Sequence, residues 1–259
     1  MFRKRLLKFL GIFLLIITLV FAWEFSQFKY IPVLMYHSVL PSALKENRLV
    51  VSVNTFYRQM EFLKKHNYNV IPLEKIPDFI LNKKKIPPKT IAISFDDGYK
   101  DNYLYAFPIL KKYNLFATIF LVVNDIDKPD RLNWQEIFEM KNSGLISFGS
   151  HTISHPYLTS LDEDKLKSEI FDSKRILEEK LFSPVKTFAY PAGFFNQKAK
   201  ELVQNAGYIL AVAASKTRKA NPSDIFAYKR IRISEKNDDN LFVFWFKTTK
   251  LYSFIKRKR

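Results

Sequence analysis

Hydrophobic and polar residues follow each other along most of the chain in a pattern that predicts strands alternating with amphipathic helices. Short apolar runs bounded by turn residues predict buried strands, and apolar residues three or four apart predict helices. The predicted strands are 31–35, 69–72, 90–95, 117–123, 145–149, 187–190, 208–213 and 231–233. The predicted helices are 55–66, 102–113, 134–142, a helix from a Ser160–Glu163 capping box through Leu181, and 198–205. This order predicts a mainly parallel sheet covered by helices, either open or closed as a barrel.

The N-terminal stretch has the pattern of an export signal. Four basic residues within positions 3–8 precede Phe9 to Trp23, which carry no charge, and Glu24 follows. Positive charge before an apolar run keeps the N-terminus inside and sends the rest of the chain across the membrane. Because no small-residue cleavage site follows, we expect an uncleaved single-pass anchor with the rest of the chain extracytoplasmic. A cleaved signal peptide and a buried core helix are the alternatives.

Composition supports one main domain. The chain has 259 residues, 47% of them hydrophobic, and no cysteine, so disulfides and thiolate zinc sites are excluded. We divide it into a basic tip and anchor at 1–27, a catalytic domain at 28–240 and a basic, aromatic C-terminal segment at 241–259. That last segment mixes aromatic residues with cations, so it is either a second membrane contact or a packed helix with a solvated tail.

Charge is concentrated at the two ends of the chain. The formal net charge is +17. Ten cations lie in the acid-free stretches 3–8 and 247–259, which leaves 17 − 10 = +7 for the remainder. Anionic lipid is a suitable partner for such ends. Nucleic acid is not an expected partner, because no nucleic-acid-binding motif or internal basic stripe is present.

Polar patches follow four of the predicted strands, where a barrel places its chemistry. These patches are 36–38, 95–98, 150–156 and 189–193. Within them, His151 and His155 are four residues apart, so on a helical turn both imidazoles would face one way. Two histidines and one carboxylate can hold a metal and leave a position open for water. The alternative is a pair of polar loop histidines.

Asp96 and Asp97 are adjacent carboxylates after a buried strand. Neighbouring carboxylates repel each other unless a cation stabilises them. A metal would do this for one and leave the other free to act as a base. An ordinary Asp-Asp-Gly turn is the alternative reading.

The segments Ile93–Gly98 and Ser150–His155 resemble the two signature motifs of the polysaccharide deacetylases, carbohydrate esterase family 4. The resemblance covers about residues 30–235 and includes the strand at 117–120. The stretch 133–155 is most similar to exported deacetylases of poly-N-acetylglucosamine.

The resemblance implies a deformed (β/α) barrel and a divalent metal, commonly zinc. It implies Asp97, His151 and His155 as metal ligands and Asp96 as the general base. A backbone N–H near Ala192 would hold the oxyanion. The other pocket residues expected from it are Tyr190, Pro191 and Trp134.

Two departures from the family pattern concern catalysis. Ala189 stands where the family usually has an arginine that steadies the catalytic Asp, two residues before the proline. The C-terminal histidine that acts as the acid in many members is also missing. Amide cleavage needs a proton donor for the amine. His151 and His155 are assigned to the metal and His66 has a surface context, so we predict His37 as the general acid, across the metal from Asp96 with its ring open to the pocket.

The sequence therefore predicts an enzyme that removes N-acetyl groups from a GlcNAc-containing polysaccharide, either poly-N-acetylglucosamine or peptidoglycan. The alternatives are a catalytically impaired sugar-binding relative, an O-acetyl polysaccharide esterase, or a basic membrane-surface protein whose barrel is only a scaffold.

Overall fold

The computed structural model describes residues 2–82, 84–214, 221 and 223–256, without the side chains of residues 2–8, 11 and 12. The strands are β1 Val33–Tyr36, β2 Ser38–Leu40, β3 Val50–Ser52, β4 Asn69–Val70, β5 Thr90–Phe95, β6 Ala117–Leu121, β7 Ile146–Ser150, β8 Thr187–Ala189, β9 Leu210–Ala213, β10 Tyr228–Lys229 and β11 Ile231–Arg232. The α-helices are α1 Phe2–Gln27, α2 Val53–Lys65, α3 Ile76–Ile80, α4 Phe107–Tyr113, α5 Trp134–Asn142, α6 Glu163–Lys167, α7 Ser173–Leu181, α8 Gln197–Asn205, α9 Glu235–Asp238, α10 Leu241–Lys247 and α11 Lys250–Lys256. A π-helical turn, Asn102–Ala106, leads into α4, and another, Ser168–Asp172, joins α6 to α7.

The main sheet is parallel and curls into a nearly closed barrel. Its strand order is β10-β9-β8-β7-β6-β5-β1-β11, and β4 also pairs with β5. Only Arg230 separates β10 from β11. On one side of it, β10 pairs with β9, with Lys229 opposite Ala213. On the other side, β11 pairs with β1, with Ile231 opposite Leu34. The predicted (β/α) barrel is confirmed.

Residues alternate along each strand between two apolar clusters, as the two-residue period of a strand requires. In β5, Ile91, Ile93 and Phe95 belong to the larger cluster, which packs against the helices, whereas Ala92 belongs to the smaller one. The smaller cluster fills the barrel interior and includes Val33, Phe120, Leu210, Val212 and Tyr228. Both faces of the sheet are therefore buried, which explains the near-continuous apolar runs in the sequence.

The helix predictions hold, but one predicted start is wrong. Ser160 ends a short 3₁₀ turn, and α6 begins later, capped by Asp162, whose carboxylate accepts a hydrogen bond from the Lys165 N–H at 2.9 Å. An unpredicted capping box, Asn133 with Glu136, starts α5 instead. Asp162 outcompetes Ser160 because its carboxylate reaches the free N–H groups of the first turn.

The end of α1 packs on α11. The rings of Phe21, Phe25 and Phe28 lie 5.2, 5.4 and 5.3 Å from the ring of Phe254. In the part of the chain that the structure describes, no helix has both the length and the apolar character needed to cross a membrane. The predicted transmembrane helix is not confirmed.

The C-terminal segment packs on the barrel over most of its length. Residues 241–256 form α10 and α11, which bury Phe244 and Phe254. The last three residues of the predicted basic segment, 257–259, lie outside the described residues.

Candidate metal centre and catalytic pocket

The two aspartates leave the end of β5 in different directions. Asp96 continues the alternation of the strand, faces the barrel interior with Ser94 and is 3% exposed. Asp97 and Gly98 have φ of 70° and 60°, so the chain turns sharply after Asp96. Gly98 suits this turn because its φ is positive, and a Cβ there would also lie 2.9 Å from the end of the Leu121 side chain. The turn separates the two carboxylates and gives each its own surroundings.

The two histidines approach each other through an irregular loop and not on a helical turn. His151 directly follows β7 and is buried, and Thr152 and His155 have φ of 72° and 59°. The Glu169 carboxylate holds this loop by accepting hydrogen bonds from the backbone N–H groups of Ile153 at 2.8 Å and Ser154 at 3.0 Å. Left-handed residues turn the loop back, so both imidazoles reach Asp97.

The three predicted ligands converge. Asp97 Oδ1 is 3.6 Å from His151 Nε2 and 3.6 Å from His155 Nε2, and the ligand atoms of all three residues lie within 4.8 Å of one another. Ligands placed about 2.1 Å from a tetrahedral zinc are roughly 3.4 Å apart. The separation therefore fits a divalent metal, and the exposed side of His155 leaves an approach for water.

His151 is oriented by the backbone of Ala189. Its Nδ1 lies 2.7 Å from the Ala189 carbonyl oxygen, so it donates there and leaves the Nε2 lone pair towards Asp97. Burial lowers the pKa of His151, which keeps the imidazole neutral, as metal binding requires. Burial raises the pKa of Asp97, an effect that a bound cation would reverse. The donor set thus suits a metal on chemical grounds as well as geometry.

Arg230 replaces the arginine that the family pattern places at Ala189. Its guanidinium donates two hydrogen bonds to the Asp96 carboxylate, at 2.6 and 2.7 Å, and both side chains are buried. Burial alone would raise the pKa of Asp96, but Arg230, His151 and His37 together hold it well below its usual range. Asp96 is therefore ionised and fixed in place.

Sequence reasoning missed Arg230. It lies just before a predicted strand, and a charged residue at an inward-facing position of a barrel strand was the signal that could have identified it.

His37 lies beside Asp96 and not across the pocket from it. Its Nε2 is 3.8 Å from Asp96 Oδ2, and its side chain is 9% exposed. Within the described residues its Nδ1 is buried without a hydrogen-bond partner. Burial lowers the pKa of His37 to about 4, so the imidazole is neutral at pH 7. The expectation of an open ring facing Asp96 across the metal is not met, because the ring packs at the end of β1.

The remaining predicted pocket residues separate into exposed and buried ones. Ala192, at φ 53°, is exposed and lines a groove together with Arg230. Tyr190 is completely buried, and its hydroxyl donates to the Phe226 carbonyl oxygen at 2.9 Å. Its side chain therefore packs in the core and offers no surface to a substrate.

Pro191 is also buried. Trp134 is half-buried at the start of α5, with the Lys180 ammonium 5.9 Å from its ring centre. His66 is exposed at the end of α2, as expected.

A parallel barrel that gathers three side chains able to bind a metal beside a fixed carboxylate has the features of barrel hydrolases that activate water. The sequence profile of the family described as polysaccharide deacetylase matches residues 83–211. A Bacillus subtilis (strain 168) protein named "Putative polysaccharide deacetylase YxkH" is 32% identical over 204 residues, which cover 79% of this chain and 71% of that protein. The chain belongs to the polysaccharide deacetylase family and is a hydrolase.

Other relatives agree with this assignment. The poly-β-1,6-N-acetyl-D-glucosamine N-deacetylase of Staphylococcus aureus (strain MRSA252) is 28% identical over 75% of this chain and 71% of that protein. The structure of the Streptococcus pyogenes deacetylase PplD in complex with acetate superposes with a TM-score of 0.75 at 28% identity, covering 83% of this chain and 97% of that one. A polysaccharide deacetylase from Bacillus cereus gives a TM-score of 0.73 at 30% identity, covering 85% and 69%.

Proposed function

We propose that this enzyme removes N-acetyl groups from a GlcNAc-containing polysaccharide with the help of one divalent metal, most simply zinc. The observation that carries the proposal is the convergence of Asp97, His151 and His155 beside an Asp96 that Arg230 keeps ionised. The Staphylococcus aureus relative, named for its action on poly-β-1,6-N-acetyl-D-glucosamine, supports an amino-sugar polymer as the substrate.

Asp97, His151 and His155 would hold the metal. When bound, a divalent ion polarises the acetamide carbonyl and lowers the pKa of the attacking water. Asp96 accepts the proton that this water loses, and Arg230 fixes the carboxylate for that transfer. A backbone N–H at the exposed turn near Ala192 would donate to the oxygen that gains charge.

His37 is proposed to deliver the proton to the leaving amine. A neutral imidazole with its hydrogen on Nδ1 presents the Nε2 lone pair towards Asp96, 3.8 Å away. It can accept the proton held by Asp96 and pass it to the nitrogen as the C–N bond breaks. The water oxygen then stays on the acetyl carbon, acetate leaves, and Asp96 is again ionised.

The intact set of base and ligand residues gives no support to an impaired sugar-binding relative. A binding protein needs neither a buried carboxylate held by a bidentate arginine nor three converging metal-binding side chains.

The proposal is tested by acetate release from the purified chain. The substrates are poly-β-1,6-N-acetylglucosamine, peptidoglycan and O-acetylated xylan, each assayed after metal removal and after addition of zinc, cobalt, nickel or manganese. We expect activity on at least one N-acetylated polymer that is lost on chelation and restored by metal. Release from xylan alone would favour the esterase, and no release from any polymer would overturn the proposal.

Two substitutions separate the roles of the neighbouring aspartates. Asp97→Ala should lose both bound metal and activity, because it removes a ligand. Asp96→Asn should keep the metal, measured by elemental analysis, and lose turnover, because it removes the base. Equal metal loss in both variants would show that base and ligand are wrongly assigned.

We further propose that the domain works outside the cytoplasm, attached to the membrane near residues 6–25. The four cations before an uncharged run support this, as do the exposed apolar side chains of α1 between Phe13 and Phe21.

A further inference from the structure

A groove of about 1050 Å³ runs along the barrel beside β10 and β11 and reaches Arg230, the partner of Asp96. Ala192 and Arg230 both line it, so it adjoins the proposed oxyanion position and the arginine that holds Asp96. Seven lysine and arginine side chains line this groove, and no aspartate or glutamate from the described residues does. A polymer lying in the groove would therefore meet positive charge next to the site of cleavage.

Arg232 lies at the mouth of the barrel, two residues beyond Arg230. Arg230 faces the interior, so Arg232, two residues further along the same stretch, faces the same side one layer nearer the carboxyl ends of the strands. Its partner in β1 is Met35, two residues before His37. The side chain is thus placed where a substrate enters, and not on the outer face of the barrel.

Two of the groove's arginines have no internal counterion. Neither Arg232 nor Arg48 makes an ion pair or a side-chain hydrogen bond with another residue in the described ranges, and both are exposed. The Asp96 carboxylate is already engaged by both terminal nitrogens of Arg230.

The three arginines line the same groove, so their positive charges act on one another. Partial burial, followed by the charges of Arg230 and Arg48, lowers the pKa of Arg232, against the opposing effect of Asp96. Of these three, only Arg230 is paired with a carboxylate among the residues that the structure describes, so the groove keeps an excess of positive charge. Guanidinium groups pair with carboxylate or phosphate through two parallel hydrogen bonds, which a lysine cannot do.

We infer that Arg48 and Arg232 form a subsite for a carboxylate or phosphate group on the sugar next to the one that is deacetylated. This inference rests on the proposed deacetylase function and specifies its substrate class. The enzyme would act on an anionic N-acetylated glycan in preference to a neutral homopolymer. A neutral polymer would also become a poorer ligand as it is deacetylated, because each new ammonium group is repelled by the same groove.

The test compares oligosaccharides of equal length that differ only in charge. One is a neutral N-acetylglucosamine oligomer, the second carries a carboxylate on alternate sugars, and the third carries phosphodiesters. For each we measure kcat/KM for acetate release and the Kd of a fluorescently labelled form. The wild-type enzyme should prefer an anionic oligomer by about tenfold or more, which corresponds to roughly 1.4 kcal/mol. The anionic oligomer with the higher kcat/KM shows whether the subsite prefers a carboxylate or a phosphate group.

The variants test whether Arg48 and Arg232 cause the preference for anionic oligomers. Arg48→Ala/Arg232→Ala should bring the ratio of anionic to neutral kcat/KM close to one, and Arg48→Lys/Arg232→Lys should retain an intermediate ratio. Arg175→Ala, which removes an exposed arginine on α7, is the matched control and should leave the ratio unchanged. The wild-type preference should weaken as salt rises from about 0.05 to 0.5 M, because exposed charges are screened.

Equal kcat/KM on neutral and anionic oligomers, or a preference that survives in the double alanine variant, would overturn the inference. If no oligomer releases acetate, the proposed function fails, but the Kd values still decide the subsite. Tight, salt-sensitive binding of an anionic oligomer that depends on both arginines would uphold it, and equal Kd values would not.

Discussion

Among single residues, Asp96 depends most on a distant partner. Arg230, 134 positions later in the chain, donates two hydrogen bonds to this carboxylate and a third to the Ser94 hydroxyl, while the Phe120 ring lies 5.3 Å from the guanidinium. A buried ion pair with two-point geometry is far stronger than an exposed one, and removing one partner leaves a buried charge unpaired. The ionised state and orientation of the proposed base are therefore set by a residue far away in the sequence.

Arg230→Gln should lower the free energy of unfolding by about 3–5 kcal/mol, because the Asp96 carboxylate would be left buried without its counterion. Activity should fall with it, while bound metal remains. Urea unfolding and elemental analysis measure the two effects.

The matched control is Arg175→Gln, which breaks an exposed pair and should change stability by less than about 1 kcal/mol. Adding Asp96→Asn to Arg230→Gln should recover part of the lost stability. If the double variant is less stable than Arg230→Gln alone, the unpaired charge is not the cause.

His37→Ala should bind metal normally yet lose deacetylation by roughly 10²–10⁴-fold, the range that a positioned acid or base supplies. The reason is that the amine would leave without its proton donor. Steady-state acetate release gives the loss, and metal titration shows whether the ligands are intact. His66→Ala, at the exposed end of α2, is the control. Turnover within about twofold of wild type in His37→Ala would assign the donor role to another group.

At the scale of elements, β7 ends directly before His151, the first of the two proposed metal-binding histidines. The strand lies between β6 and β8. A Cβ on Gly149 would lie 2.6 Å from the Phe120 ring and 2.5 Å from Thr187 Oγ1, so β6 and β8 leave no room for a side chain there. His151 follows only two residues later. The packing of β6, β7 and β8 therefore sets the position of His151.

Gly149→Ala should destabilise the fold by about 1–3 kcal/mol, because an added methyl overpacks the barrel interior. It should also weaken metal binding, since the end of β7 must shift. Unfolding by urea and zinc titration report the two effects.

Gly144→Ala is a useful contrast. A Cβ there meets nothing within 4 Å, but φ is +73°, so strain alone should cost about 1–2 kcal/mol. Metal affinity should be unchanged. Equal metal affinities in the two variants would show that β7 packing does not position His151.

At the scale of the whole molecule, the C-terminal end of α1 packs on α11. The aromatic residues at the end of α1 surround Phe254 of α11, and the Lys250 ammonium lies 4.6 Å from the centre of the Phe25 ring. A surface that binds α1 would therefore hold the barrel next to it. The proposed catalytic residues of the barrel lie at the carboxyl ends of its strands.

Fractionation of cells that produce the full chain should place the protein with the membrane, and protease added outside intact protoplasts should digest the domain. The reason is the charge asymmetry around the uncharged run 9–23. A chain starting at residue 28 without a signal should remain in the cytoplasm and serves as the control. A soluble exported form that begins after residue 22 would show that the segment is cleaved.

Many of the strands and helices and several candidate site residues could be predicted from the local sequence. Strand and helix positions followed from hydrophobic period, because burial on one or both faces fixes where apolar residues fall. The convergence of two histidines and a carboxylate was expected from residue type and from position after strands. The choice of Asp97 over Asp96 as the third proposed ligand came from the resemblance to the deacetylase motifs. These features depend on neighbours in the chain, so a sequence pattern is sufficient to find them.

Tertiary structure alone decided the rest, since it depends on residues far apart in sequence. The pairing of Arg230 with Asp96 arises only when the stretch around it closes the barrel against β1 and β9. The burial of Tyr190 and the left-handed loop between the histidines likewise depend on packing that no local period encodes. The surroundings of His37 show the reason most clearly: its neutral state results from desolvation by the whole barrel end, a quantity set by three-dimensional enclosure and not by adjacent residues.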